Sequence, residues 1–227
     1  MTEDAERGGE GRRGARGWRA LGQLRPRTAR RRAEERQALC EAVLILAGER
    51  GLRQVSMAEL LGRARLSRLA FHSHFDDLAE CFAAAHELEL ERFADAVLAA
   101  GSEAGEWPHG YRRALECAAA KLGQRPLLYR GLLCEGRTAG AAVAAERETV
   151  AARLQAAIDT ARLSSPLAEL PPPLSATFVL AAAEQTATAA LAEGSPERFT
   201  ATVPKLARLA AILYFGDGDG RRRPSPG

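Results

Sequence analysis

The chain has 227 residues, 46% of them apolar and 27% charged, with only 5% aromatic. That composition excludes a collagen-like or globally disordered chain and leaves room for one large domain or two smaller ones with a buried core. The formal net charge is +3, but 16 Lys and Arg face 10 Asp and Glu up to Asp76, whereas 16 face 19 from Asp77 onward, so a polyanion is expected to meet only the front.

Residues 1–32 are Gly- and Arg-rich with no apolar period, and hold Trp18, Arg25-Pro26-Arg27 and Arg30-Arg31-Arg32. They read as a mobile tail, either a solvated extension or an arm that reaches DNA phosphates. A first helix is predicted from Ala33 to Arg50, with Leu39, Val43 and Leu46 on one stripe and Gly51 as its stop. Ser56 with Glu59 forms a capping box for a short second helix ending near Ala64. Ser67 caps a third helix through Phe71 to about Phe75, and Asp76-Asp77 cap a long fourth from Leu78 to Ala100. Further helices are predicted over 108–124, 126–135, 139–162, 174–193 and 196–215, punctuated by Pro126, Pro171-Pro172-Pro173 and Gly194-Ser195-Pro196. The end, 217–227, reads as a disordered tail. No run alternates as a strand would, so the class is all-α.

Three short helices with a tight turn between the second and third describe a helix-turn-helix, whose third helix fits the major groove of DNA. Leu39, Val43, Leu46, Leu60, Leu61, Leu66, Phe71 and Phe75 are its expected core. Arg68, Leu69, His72 and Ser73 then face outward, with Arg53, Arg63 and Arg65 along a basic edge.

From Gln37 to Phe82 the chain resembles the tetracycline-repressor (TetR) family of transcriptional regulators. The matching residues are Leu39, Ala42 and Leu46, Glu49-Arg50-Gly51, Ser56, Ala58-Glu59-Leu60, Ala64, Ser67-Arg68, Phe71, His74-Phe75 and Asp77. The run Glu80-Cys81-Phe82-Ala83-Ala84 resembles a branch whose fourth helix begins with an acidic-Cys-Phe signature. The resemblance implies a helix-turn-helix DNA-binding domain at 33–80 and a helical effector-binding and dimerisation domain at 81–216. It implies a homodimer, on a palindromic operator, that a small effector releases. The DNA-contacting residues are then Arg32, Arg53, Ser56, Arg65, Ser67, Arg68, Leu69, His72, Ser73 and His74, the last as a phosphate donor or helix cap. A pocket behind the fourth helix, walled by Phe82, Tyr111, Leu115, Leu128, Tyr129 and Phe178, would take an apolar or amphipathic molecule. The last two helices offer Ala183, Ala187, Leu191, Val203, Leu206, Leu209 and Leu213 to a mate.

Departures from the family pattern gather where DNA contact is expected. Arg65 stands where Gly is usual, Ala70 replaces a hydroxyl residue, His72 a Tyr and Leu78 a Lys, while Ala47 replaces a core Phe and leaves space to fill. Fewer phosphate contacts weaken binding to every sequence. The alternative function is therefore a helical interaction protein whose degenerate head binds DNA weakly or not at all.

The four cysteines, Cys40, Cys81, Cys117 and Cys134, never form a Cys-x-x-Cys pair, which argues against a disulfide scaffold or a zinc module. Cys117 and Cys134 leave a redox switch open as a second mode of regulation, against the commoner role of small apolar filler. His72 and His74, two apart, share no helix face, and Leu90 breaks the zinc signature begun by His86-Glu87. No metal or cofactor is expected, and no nucleophile elbow or phosphate-binding glycine loop points to an enzyme. With an acidic start, no apolar signal core and no span-length apolar run, the chain is expected to be cytoplasmic, away from membranes.

Overall fold

The computed structural model describes residues 10–104, 107–163 and 175–215. The expected tail at 217–227 and the Pro171-Pro172-Pro173 break lie outside the described residues. Those described form an all-α chain of α1 (Glu10–Arg50), α2 (Met57–Ala64), α3 (Arg68–His72), α4 (Leu78–Ser102), α5 (Trp107–Gln124), α6 (Pro126–Leu133), α7 (Ala141–Leu163), α8 (Ser175–Ala192) and α9 (Glu197–Phe215). None of these helices is long and apolar enough to cross a membrane.

The first helix begins at Glu10, not near Ala33. Residues 10–32 lack an apolar stripe, which is why the sequence suggested an irregular arm. Ala, Leu and Arg are nevertheless strong helix formers, and propensity needs no stripe. At the junction Arg30–Glu34 and Arg31–Glu35, each at 2.8 Å, brace successive turns.

Local chemistry sets the other early boundaries. Gly51, at φ 91°, stops α1. At the start of α2 the Glu59 amide donates to Ser56 Oγ at 3.3 Å, and the Ser56 amide donates to Glu59 Oε2 at 3.1 Å. Asp77 caps α4 by accepting the Glu80 amide at 2.8 Å.

Leu39, Val43, Leu46, Leu60, Phe71 and Phe75 are buried together, with Leu61 and Leu66 packed at the margin. The other side of α1 is also covered: Cys40, Leu44 and Ala47 are buried, and α1 packs on α4 and α6 as well as on α2. At the crossing with α6 the backbones almost touch. A Cβ on Gly131 would lie 2.0 Å from the Leu44 carbonyl oxygen, and one on Gly48 would lie 1.9 Å from that of Leu127. Ala47, next to Gly48 in the chain, is itself 1% exposed, so neighbouring groups cover the position.

Behind α4, helices α5 and α7 pack on it directly, α9 packs on α5, and α8 joins α9 to α7. This assembly encloses the interior cavity described below.

Candidate nucleic-acid interface and internal cavity

Phe71 and Phe75 sink into the head core and hold α3 by one face. Arg68, Leu69, His72 and Ser73 all lie on the opposite, exposed face, and Leu69 is 83% exposed. Arg32, Arg53, Ser56, Arg65 and Ser67 are also exposed.

The turn before α3 is built on Arg65, at φ 55° and ψ 42°, the one described non-glycine residue with positive φ. Its amide and that of Leu66 both donate to the Leu61 carbonyl, the Leu66 bond at 3.1 Å, closing the end of α2. Holding a side chain in this region costs about 1 kcal/mol.

Several hydroxyls in the expected DNA set already serve the chain. Ser67 Oγ accepts the Ala70 amide at 3.1 Å, and Ser73 Oγ donates to the Ala70 carbonyl at 2.7 Å. Ser56 Oγ lies within the capping box, where its hydrogen bonds hold the Glu59 carboxyl below the usual carboxylate range. His74 turns inward, contrary to its expected role as a phosphate donor or cap. Its side chain is 6% exposed, with Nε2 3.3 Å from Glu35 on α1. Hydrogen bonds from Arg31 and then His74 lower the Glu35 pKa. One position beyond the α3 stripe, His74 follows Phe75 toward α1 instead of the groove.

A cavity of about 270 Å³ opens between α4, α5, α7, α8 and α9. Its walls are Leu90, Phe93 and Val97 of α4, Trp107, Tyr111 and Leu115 of α5, Val150, Leu154 and Ile158 of α7, Leu180, Ala183 and Ala187 of α8, and Phe199 of α9. Two charged residues, Arg147 and Glu184, join this wall as an ion pair. Of the expected lining only Tyr111 and Leu115 belong to it, and the Tyr111 hydroxyl donates to the Val179 carbonyl at 3.0 Å.

The other four expected wall residues need correction. Phe82 faces a separate cleft with Val43, Leu52, Val55 and Leu78, because one face of α4 looks toward the head. Leu128 and Tyr129 are buried on α6 outside the cavity lining, where the Tyr129 hydroxyl donates to Glu89 at 3.1 Å. Phe178 is 61% exposed on the outer side of α8. Sequence reasoning missed the α7 wall, although Val150, Leu154 and Ile158 recur every four residues; without the neighbouring helices nothing said which face looked into a void.

The closing helices carry a second correction. Ala183, Ala187, Leu191, Val203 and Leu206, expected at a dimer interface, are buried within the subunit. Leu213 is half-buried against that same core, and Leu209 is exposed. The outer faces of α8 and α9 instead show Phe178, Leu209 and Ile212, three of the exposed large apolar side chains. Apolar periodicity finds a stripe; it does not distinguish the inner stripe from the outer one.

Cys40 and Cys81 are buried, and burial pushes the Cys81 thiol up to about 12. Burial also raises Cys134, whose Sγ lies 3.7 Å from the Thr188 carbonyl, the reverse of what a reactive thiolate needs. Cys117 is half-buried, with Sγ 3.6 Å from the Ala96 carbonyl. His86 on α4 is fully buried, and a Cβ on Gly136 would sit 2.4 Å from its Nε2. Burial, reinforced by the nearby Arg147 charge, pushes its imidazole down to about 4. Among the described residues no three His, Cys, Asp or Glu side chains gather closely enough to hold a metal ion.

No protein-family model and no curated protein sequence matches this chain. Solved structures do. The fatty acid degradation regulator FadR of Bacillus halodurans superposes with a TM-score of 0.68 at 14% identity, over 83% of this chain and 97% of that one. A TetR family transcription regulator of Marinobacter aquaeolei VT8 gives 0.61 at 22% identity, over 80% and 97%. The regulator FadR of Bacillus subtilis, solved in complex with stearoyl-CoA, gives 0.67 at 12% identity, over 79% and 98%. The chain therefore has the all-helical fold of these transcription regulators.

Proposed function

We propose that the protein is a DNA-binding transcriptional regulator, a repressor that works as a homodimer on a palindromic operator and is released by a small apolar or amphipathic molecule. The observation that carries the reading is the outer face of α3. Arg68, Leu69, His72 and Ser73 stand exposed side by side while Phe71 and Phe75 lock the helix from behind. A fork of donors, an apolar tip and two small polar groups suit base edges and flanking phosphates.

A dimer would set its two α3 helices about 34 Å apart, one turn of B-DNA. The exposed apolar residues on the outer faces of α8 and α9 support self-association there, since a two-fold pair covers the same patch on both copies.

Release follows from how the cavity joins the head. Leu90, Phe93 and Val97 of the cavity wall sit on α4, which begins five residues beyond Ser73. Leu133 at the end of α6 also lines the cavity, and α6 crosses α1 at the Gly48–Gly131 contact. Just beyond α6, Glu135 Oε2 accepts the Leu52 amide at 2.9 Å. A ligand that favours another spacing of α4 and α6 would thus move the head, and its differential affinity for the two arrangements sets the size of the effect. The apolar wall and the stearoyl-CoA held by the Bacillus subtilis neighbour support a ligand with a long apolar part.

Retention of the full chain on duplex DNA at two salt concentrations, with selection from a random pool, tests the reading. Affinity should fall steeply with salt, and the pool should converge on a two-fold symmetric site. Arg68→Ala should cost about 1–3 kcal/mol at one operator position if Arg68 reads guanine. A uniform loss marks a phosphate contact instead. No retention at low salt would favour the interaction-protein alternative, to which the committed hydroxyls of Ser67 and Ser73 already lend weight.

A further inference from the structure

We propose that the cavity takes an amphiphile with one carboxylate, and that Arg147 receives the carboxylate by exchange with Glu184. The inference rests on the ligand-binding half of the proposed function. It goes further by naming the charge of the ligand and the residue that selects it.

The geometry is asymmetric. The α7 residues of the wall run from Arg147 to Ala161 on one face, about 21 Å along the helix. Beyond Arg147 that face is Val150, Ala151, Leu154, Ala157 and Ile158. An apolar tail therefore has a long continuous surface, with a single guanidinium at its start. Among the described lining residues Arg147 is the only cation and Glu184 the only anion. The two hydroxyls at the wall are already engaged. The Tyr111 hydroxyl donates to the Val179 carbonyl, and the Ser102 hydroxyl donates to the Ala99 carbonyl at 2.9 Å.

The two members of the ion pair are not equally replaceable. The Glu184 side chain is 37% exposed, whereas that of Arg147 is 19% exposed. Glu184 can swing away and keep its water. Arg147 left alone against an apolar wall loses both water and partner, which is costly. Departure of Glu184 is therefore tied to arrival of another anion, and the planar guanidinium fork matches a carboxylate with two parallel hydrogen bonds. A cationic amphiphile meets the opposite situation. To pair with Glu184 it must strip Arg147 of its partner and place two positive charges together in one apolar cavity.

The exchange also occurs at the end of the cavity nearest the head. Arg147 is close enough to the buried His86 to help depress its pKa, and His86 packs on Gly136, next to the Glu135 that holds the Leu52 amide.

Isothermal titration of the full chain with dodecanoate, methyl dodecanoate and dodecylammonium tests this, each below its aggregation limit. Dodecanoate should bind at least tenfold more tightly than either of the others. Arg147→Met should weaken dodecanoate at least tenfold and bring acid and ester to equal affinity. Glu184→Gln, which removes the competing anion, should strengthen dodecanoate. Equal binding of acid and ester by the wild type, a preference for the ammonium, undiminished dodecanoate binding by Arg147→Met, or no binding of any probe overturns the proposal. Should Arg147→Met fail to fold, Glu184→Gln decides alone: a gain supports the exchange, and no change or a loss overturns it. Retention of the ligand-free chain on DNA is measured beside it. Loss of that retention overturns the regulator reading and leaves the carboxylate site standing.

Discussion

Arg65 shows how one residue can serve two ends with opposite energetic signs. As a left-handed residue it strains the turn between α2 and α3, and as an exposed cation it sits beside the basic face. Arg65→Gly should therefore raise stability by no more than about 0.5 kcal/mol, the relief of strain being offset largely by a more flexible unfolded chain. Urea midpoints read the gain. If Arg65 contacts phosphate, the same variant should bind all DNA sequences more weakly and with a shallower salt slope. His86 supplies a second test at this scale. Its folded pKa, about 4, lies below the ordinary value of 6.5, so its contribution is complete above pH 6.5 and is lost as pH falls toward 4. Between pH 7 and pH 5 this group alone should remove about 2 kcal/mol of stability. His86→Leu should lose less than the wild type over that interval, a difference read from urea unfolding at the two pH values.

At the scale of elements, the crossing of α1 and α6 is the least forgiving of the described glycine contacts. Gly131→Ala drives a methyl group into the Leu44 carbonyl, where backbone must shift because no flexible side chain can yield. It should cost at least about 2 kcal/mol. Gly123→Ala in α5 is the control, since nothing lies within 4 Å of the added carbon. Helix propensity alone should then stabilise it by about 0.5–1 kcal/mol. Thermal unfolding of the two variants should move in opposite directions, and equal shifts would contradict the close approach. Neither glycine announces itself in the sequence. Each looks like a helix-weakening position, and only the partner helix separates a required glycine from a tolerated one.

For the molecule as a whole, the proposed pairing of two heads rests on the exposed outer faces of α8 and α9. Leu209→Glu with Ile212→Glu should leave the subunit folded, because both side chains are already exposed. Sedimentation should show the pair reduced to single subunits if these faces join two copies. DNA affinity should fall with it, since a lone head engages one half-site of the two. A dimer that survives the double change would place the interface elsewhere. Val203→Glu, by contrast, buries a charge in the subunit core and should unfold the domain.

The sequence by itself determined the helical class, most element boundaries and the outward stripe of α3. These rest on interactions within a few residues of each other: caps at Ser56, Ser67 and Asp77, a stop at Gly51, and apolar spacing around Phe71 and Phe75. It misjudged the start of α1, where propensity acts without a stripe, and it could not see His74 turning toward Glu35, thirty-nine residues away. Only the tertiary structure decided which apolar stripe of α8 and α9 is inner and which residues wall the cavity. Each of these depends on helices distant in sequence meeting at a particular angle, and a void exists only by virtue of what surrounds it.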